Sequence, residues 1–242
     1  MRITAIVQAR MGSTRLPGKV LMDLGGKTVL ARVVQRLRRA RLLHEIVVAT
    51  TVSPADAAIA EECDRLGVRV FRGSEDDVLE RYYRAAAECG SEAILRITAD
   101  CPVIDGELVD AVIQLWADEK VDYASNGLRL TFPRGLDAEV FRRDALERAW
   151  REARLPHQRE HVTPYFYEHP ELFSLASLVN GTDYSHDRWT LDTDADLELL
   201  RAIYQSFGNR DQFRWKEIIQ LMEREPQLCA LNAHVVQKAV PA

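Results

Sequence analysis

Between Ile3 and Thr98 the chain alternates short apolar segments with longer amphipathic ones, and this rhythm restricts it to very few folds. The apolar runs Ile3–Val7, Ile46–Ala49, Val68–Phe71 and Ala93–Thr98 read as strands. Between the first two, Val29, Leu30, Val33, Val34 and Leu37 recur at helical spacing, with arginines interleaved. Ser53-Pro54 supplies an N-cap and a first-turn proline for a helix over 55–66 that stops at Gly67. Another helix spans about 76–89 and ends at Gly90. Strand, helix and strand in repeated succession predict a parallel sheet with right-handed crossovers.

After a further helix over 108–116 the rhythm changes. Val121–Asn126 and Leu136–Phe141 read as strands on either side of the turn-rich Thr131–Gly135, an antiparallel pairing rather than a crossover. Helices over 143–154 and 157–168 and a strand over 173–178 complete an excursion at about 121–180. Arg188–Leu191 then leads as a strand into the acidic turn Asp192-Thr193-Asp194 and an amphipathic helix carrying Leu197, Leu200, Ile203, Tyr204 and Phe207. A last helix covers about 215–222. The expectation is one α/β domain over 1–242, with a mainly parallel sheet, helices on both faces and a β-rich insertion.

Charge narrows the class of partner. A formal net charge of -5 argues against nonspecific nucleic-acid binding, so cationic clusters must be local sites. The five-residue apolar run at the N-terminus is too short for a signal-peptide core, and no stretch suits a membrane span. A cytoplasmic protein without a membrane partner is expected. The four cysteines show no CxxC spacing, which fits reduced structural thiols.

The most concentrated cationic site is QARMGSTRLPGKVL, Gln8–Leu21, immediately after the first strand. A loop at the carboxyl end of that strand opens at the mouth of an α/β sheet, where ligands of such folds bind. Gly12 and Gly18 let the backbone approach a ligand, and Arg10, Arg15 and Lys19 suit a polyanion such as a triphosphate. A P-loop is excluded: five residues separate the glycines instead of four, and Val20 follows the lysine where magnesium needs a hydroxyl. Thr50, at the tip of the second strand, joins the candidate nucleotide contacts.

Asp100 ends the Ala93–Thr98 strand segment and is followed by Cys101-Pro102, so it projects from the same sheet edge as the basic loop. Asp192 and Asp194 sit at another strand-to-helix turn. Few carboxylates completed by water and substrate phosphates are what Mg2+ prefers, making Asp100, Asp192 and Asp194 the candidate metal ligands. Asp194 has a competing reading as a helix-start acid behind an N-cap at Thr193. Asp137 and Glu139 alternate along one strand and share a face beside Arg134. His157-Gln158-Arg159-Glu160-His161 fits the H-x-x-E-H pattern of zinc peptidases, although no third ligand is marked.

The chain resembles the cytidylyltransferases that activate acidic sugars, the 3-deoxy-manno-octulosonate and acylneuraminate enzymes, and most closely their spore-coat-polysaccharide branch. QARMGSTRLPGKVL with the following LGGK, ITADCP, TFPRGLDAEVF with REHVTPYFYEHPELF, and RWTLDTDADLELL carry the resemblance, in the family's order. It implies a Rossmann-like fold of the nucleotide-diphospho-sugar transferase type and transfer of CMP from CTP to a sugar. It further implies triphosphate binding by Arg10, Ser13, Arg15 and Lys19, with Arg15, Lys19 and Asp100 as the catalytic set. Thr98 falls where octulosonate enzymes carry a base-contacting glutamine. The resemblance places Arg134, Asp137, Glu139, Arg159 and His161 around the acceptor sugar, and implies a homodimer contact through the excursion. The runner-up is a metal-dependent glycosyltransferase consuming a nucleotide-sugar, a class that needs no triphosphate-sized basic loop.

Overall fold

In the computed structural model, which describes residues 1–237, seven strands form one sheet. They are β1 (Ile3–Gln8), β2 (Glu45–Thr51), β3 (Arg69–Gly73), β4 (Ala93–Thr98), β5 (Tyr123–Ser125), β6 (Glu139–Arg142) and β7 (Leu175–Ser177). Their order is β3-β2-β1-β4-β6-β5-β7. β1 pairs parallel to both β2 and β4, and β2 parallel to β3; β6 runs antiparallel to β4 and β5. The excursion thus adds its strands to the same sheet, and its expected antiparallel pairing is the β5/β6 ladder.

The helices among the described residues are α1 (Val29–Leu37), α2 (Ala57–Leu66), α3 (Val78–Glu88), α4 (Gly106–Glu119), α5 (Arg143–Glu152), α6 (Pro156–His161), α7 (Pro164–Glu168), α8 (Asp194–Ser206), α9 (Trp215–Arg224) and α10 (Gln227–Ala230). Side chains alternate across β1 as the pleat requires. Ile3, Ala5 and Val7 pack with Leu30, Val33 and Val34 of α1 and Val109, Val112 and Ile113 of α4. Ile6 faces the other way, onto Leu79, Tyr82 and Ala85 of α3 and Leu146 of α5. A fully buried side chain of leucine size contributes about 2 kcal/mol, so both layers are held to the strands by these stripes.

Two expectations are corrected. The helix expected over 157–168 is interrupted, because Pro164 lacks an N–H for a continuing ladder and opens a new helix instead. Val162 sits between the two helices at a φ of 73°. The strand expected at 188–191 forms only an isolated bridge, Arg134 to Arg188, because the chain there is fastened to loops rather than to a strand.

The strand order reverses between β1 and β4, whose last residues, Gln8 and Thr98, are register partners. Loops leaving the two strands diverge there and open the crevice in which open α/β sheets hold ligands.

Candidate active site

The loop after β1 is fixed by four features. The Met11 carbonyl accepts N–H bonds from Ser13 and Gly18, both 2.9 Å, which closes the turn. Gly18 adopts a φ of 71° as it starts the short helical turn Lys19–Leu21, a conformation that glycine reaches without steric cost. Leu16 buries its side chain beneath the loop. On the β2 side, Asp56 accepts the Met11 N–H at 2.7 Å while its other oxygen takes the Thr51 N–H at 3.2 Å and the Thr51 hydroxyl.

Lys19 is turned inward and only 8% exposed. Its Nζ donates to Asp100 Oδ2 at 2.7 Å, Asp192 Oδ1 at 2.8 Å and the Leu191 carbonyl at 2.7 Å. The two aspartates come from segments tied by the Leu191 N–H to the Asp100 carbonyl, 2.8 Å. Asp192 Oδ2 meets Arg15 at 2.8 Å and Arg188 at 2.7 Å. Arg188 also binds Asp196, which Asn232 holds at 2.9 Å. Burial disfavours the charge on Lys19, but Asp100 and Asp192 outweigh it and raise its pKa above the usual lysine value. Burial likewise opposes ionisation of Asp192, and Lys19 with the two arginines reverses that, leaving its pKa below the usual carboxylate value.

Arg15, Lys19, Asp100 and Asp192 line a cleft of about 380 Å³. Its lining includes four cationic side chains, Arg10, Arg15, Lys19 and Arg81, against three carboxylates, Asp100, Glu160 and Asp192. Gly12, Ser13, Thr98 and His161 complete the part expected from the sequence. Burial is the main influence that lowers the His161 pKa below its ordinary value. Among the described residues, two buried polar atoms of cleft side chains have no hydrogen-bond partner, Gln8 Oε1 and Arg81 Nε. Both atoms are enclosed by the protein at the cleft wall, which leaves one acceptor and one donor there unsatisfied.

A second cleft of about 290 Å³ shares His161 with the first and is lined by Arg134, Asp137 and Glu139. Gly135 holds the connecting turn against the Trp189–Thr190 backbone, at a φ of 98°. Its N–H donates to Asp137 at 2.9 Å. Glu139 is engaged by Arg96 and, at 2.8 Å, by the Tyr123 hydroxyl. Among the described residues Asp137 has no such cation contact, and burial raises its pKa.

Three expected residues lie elsewhere. Thr50 is fully buried in β2 and does not line the cleft. Asp194 is exposed in the first turn of α8, behind Thr193, whose side chain accepts the Asp196 N–H; this is the helix-start arrangement. Arg159 points to Asp77 and to the Trp150 carbonyl at 2.7 Å, drawn there by the Asp77 carboxylate at the start of α3. His157 of the H-x-x-E-H segment is bound to Glu168 at 2.7 Å.

Sequence reasoning missed Arg81, Arg188 and Asp56. Arg81 carried a signal, since it falls three residues after Val78 on the apolar stripe of its helix. Arg188 lies one helical turn's spacing before Asp192, but outside a helix that spacing predicts nothing. Asp56 carried no signal beyond its place in the first turn after Ser53-Pro54.

A family model described as cytidylyltransferase matches residues 4–225. The spore coat polysaccharide biosynthesis protein SpsF of Bacillus subtilis is 37% identical over 231 residues, 93% of this chain and 95% of that protein. An uncharacterized protein of Methanocaldococcus jannaschii is 41% identical over 243 aligned residues, 99% of this chain and 98% of its own. Among solved structures, a cytidylyltransferase from Leptospira borgpetersenii superposes with a TM-score of 0.92 at 34% identity, covering 99% of this chain and all of that one.

Proposed function

The chain belongs to the cytidylyltransferase family, and from that premise we propose that it transfers CMP from CTP to a hydroxyl of an acidic or modified sugar for surface polysaccharide synthesis. The observation that carries the site assignment is the convergence of Arg15 and Lys19 with Asp100 and Asp192 on one cleft behind the glycine-containing loop.

The sugar oxygen attacks the α-phosphorus of CTP, a new oxygen–phosphorus bond forms, and the bond to the β-phosphate oxygen breaks in line to release pyrophosphate. Negative charge grows on the leaving oxygens, so the protein's contribution is positioning and fixed positive charge. Arg10, Ser13, Arg15 and Lys19 hold the triphosphate. Gln8, Arg81 and Thr98 face the base; a cytosine edge offers an amino donor to Gln8 and acceptors to Arg81. Arg134, Asp137, Glu139 and His161 bind the sugar in the adjoining cleft.

Asp100 and Asp192 would hold Mg2+. The donor chemistry fits: two hard carboxylate oxygens from separate segments, with water and phosphate oxygens to complete the shell. When bound, the ion neutralises phosphate charge and keeps the nucleotide in a reactive arrangement.

No helix of the described residues is long and apolar enough to cross a membrane, which is compatible with work in the cytoplasm. The protein acts as a homodimer that joins through the excursion at about 121–180, an arrangement to be checked by sedimentation.

A pyrophosphate-release assay crossing the four nucleoside triphosphates with a panel of sugars, with and without Mg2+, tests the reading. CTP and one sugar together, with Mg2+, should release pyrophosphate. Consumption of a nucleotide-sugar donor instead would move the protein to the glycosyltransferases.

A further inference from the structure

The position of the Lys19 ammonium between two carboxylates and a carbonyl oxygen bears on how the site is loaded. Asp100, Asp192 and the Leu191 carbonyl each approach Nζ within 2.8 Å, so one cation already collects the oxygens that a metal ion would take. The same ammonium is the group that the triphosphate requires. It cannot hold both positions at once.

We propose that Asp100 and Asp192 form a one-cation site held by Lys19 in the nucleotide-free protein, and that the divalent ion enters only as Lys19 swings to the phosphates. The proposal rests on the cytidylyltransferase reading and adds to it an exchange of cations and a coupled order of loading. Charge supports it. The cleft carries four cationic side chains against three carboxylates, so a divalent ion arriving alone would add two positive charges to a site that is already slightly positive. An ion arriving with a triphosphate brings its own compensation. Arg188 stays on Asp192 Oδ2 and keeps that carboxylate aimed while Oδ1 changes partner. The Arg188 contact to Asp196 fixes the guanidinium for this task.

The test uses Mn2+ as the metal probe and equilibrium binding, followed by electron paramagnetic resonance, with no sugar present. Nucleotide-free wild type should bind Mn2+ weakly, and CTP should tighten binding at least tenfold, within the usual range of coupling between sites. Lys19→Met, which keeps most of the unbranched side chain and removes the charge, should bind Mn2+ without nucleotide about tenfold more tightly than wild type. Adding Asp100→Asn to that variant should abolish the gain. Mn2+ binding to nucleotide-free Lys19→Met no tighter than to wild type would overturn the exchange. Lys19→Gln serves if the methionine variant does not fold. Failure of CTP to bind at all, with any Mn2+ concentration, would instead remove the cytidylyltransferase reading of the cleft.

Discussion

Met11 donates its backbone N–H to the buried carboxylate of Asp56 at 2.7 Å, which ties the loop after β1 to the end of β2. Because the other Asp56 oxygen holds Thr51, one side chain fixes the spacing between two strand ends. Asp56→Ala should cost about 2–3 kcal/mol of stability, the range for losing hydrogen bonds to a charged acceptor. It should also raise the KM for CTP roughly tenfold, since the loop that meets the triphosphate is released. Denaturant titration and steady-state kinetics measure the two effects; an unchanged KM would mean the loop keeps its shape without this anchor.

Lys19→Ala should lose about 3 kcal/mol of transition-state stabilisation, by analogy with removing one preorganised donor from a developing anion. In a pyrophosphate-release assay this is a fall of roughly a hundredfold or more in kcat/KM. Turnover equal to wild type would take Lys19 out of the catalytic set.

The pH dependence of stability follows from Asp192. Burial opposes its ionisation, yet Lys19, Arg188 and Arg15 lower its pKa in the folded protein. Its contribution is therefore present above the ordinary aspartate value of about 3.9 and fades as pH falls through the lower folded value. Lys19, raised in the fold, keeps its contribution below about pH 10.4 and loses it only as pH climbs past its folded value. Asp192→Asn should thus cost about 2 kcal/mol near neutrality. In urea titrations the gap from wild type should narrow at the acid end, and a gap that widens there would contradict the assignment.

Gly135 carries φ 98°, and a Cβ built there would lie 2.6 Å from the backbone of Trp189 and Thr190. Gly135→Ala has no flexible side chain to displace, so it must shift the segment leading to Asp192. A loss of about 2–4 kcal/mol is expected from strain and overpacking. Because that segment leads to the site, a fall in kcat should accompany the drop in denaturant midpoint. Retained stability would show that the segment gives way freely.

Arg81 presents an unpartnered Nε from a buried position in the cleft. Arg81→Met preserves most of the packing volume and removes the donor. Calorimetry should show CTP binding weakened about tenfold or more, the expected cost of one charge-assisted hydrogen bond, with a smaller change for UTP. Equal losses for both nucleotides would assign Arg81 to the phosphates instead.

Local sequence dictates the alternating strands and helices, the basic loop at one strand end and the acid at another, because periodicity, glycine placement and local charge are properties of neighbouring residues. From these follow the parallel half of the sheet, the α1 to α4 rhythm, and the candidacy of Lys19, Asp100 and Asp192. Tertiary structure alone decided which charges meet: Lys19 finds Asp100 and Asp192 across separations of 81 and 173 residues, Arg159 is drawn away to Asp77, and Glu139 is taken by Arg96. Such pairings depend on sheet order and on the path of the loops, and no spacing along the chain encodes them. The exposed position of Asp194 was similarly settled by packing, which selects among local conformations that the residues alone leave nearly equal in free energy.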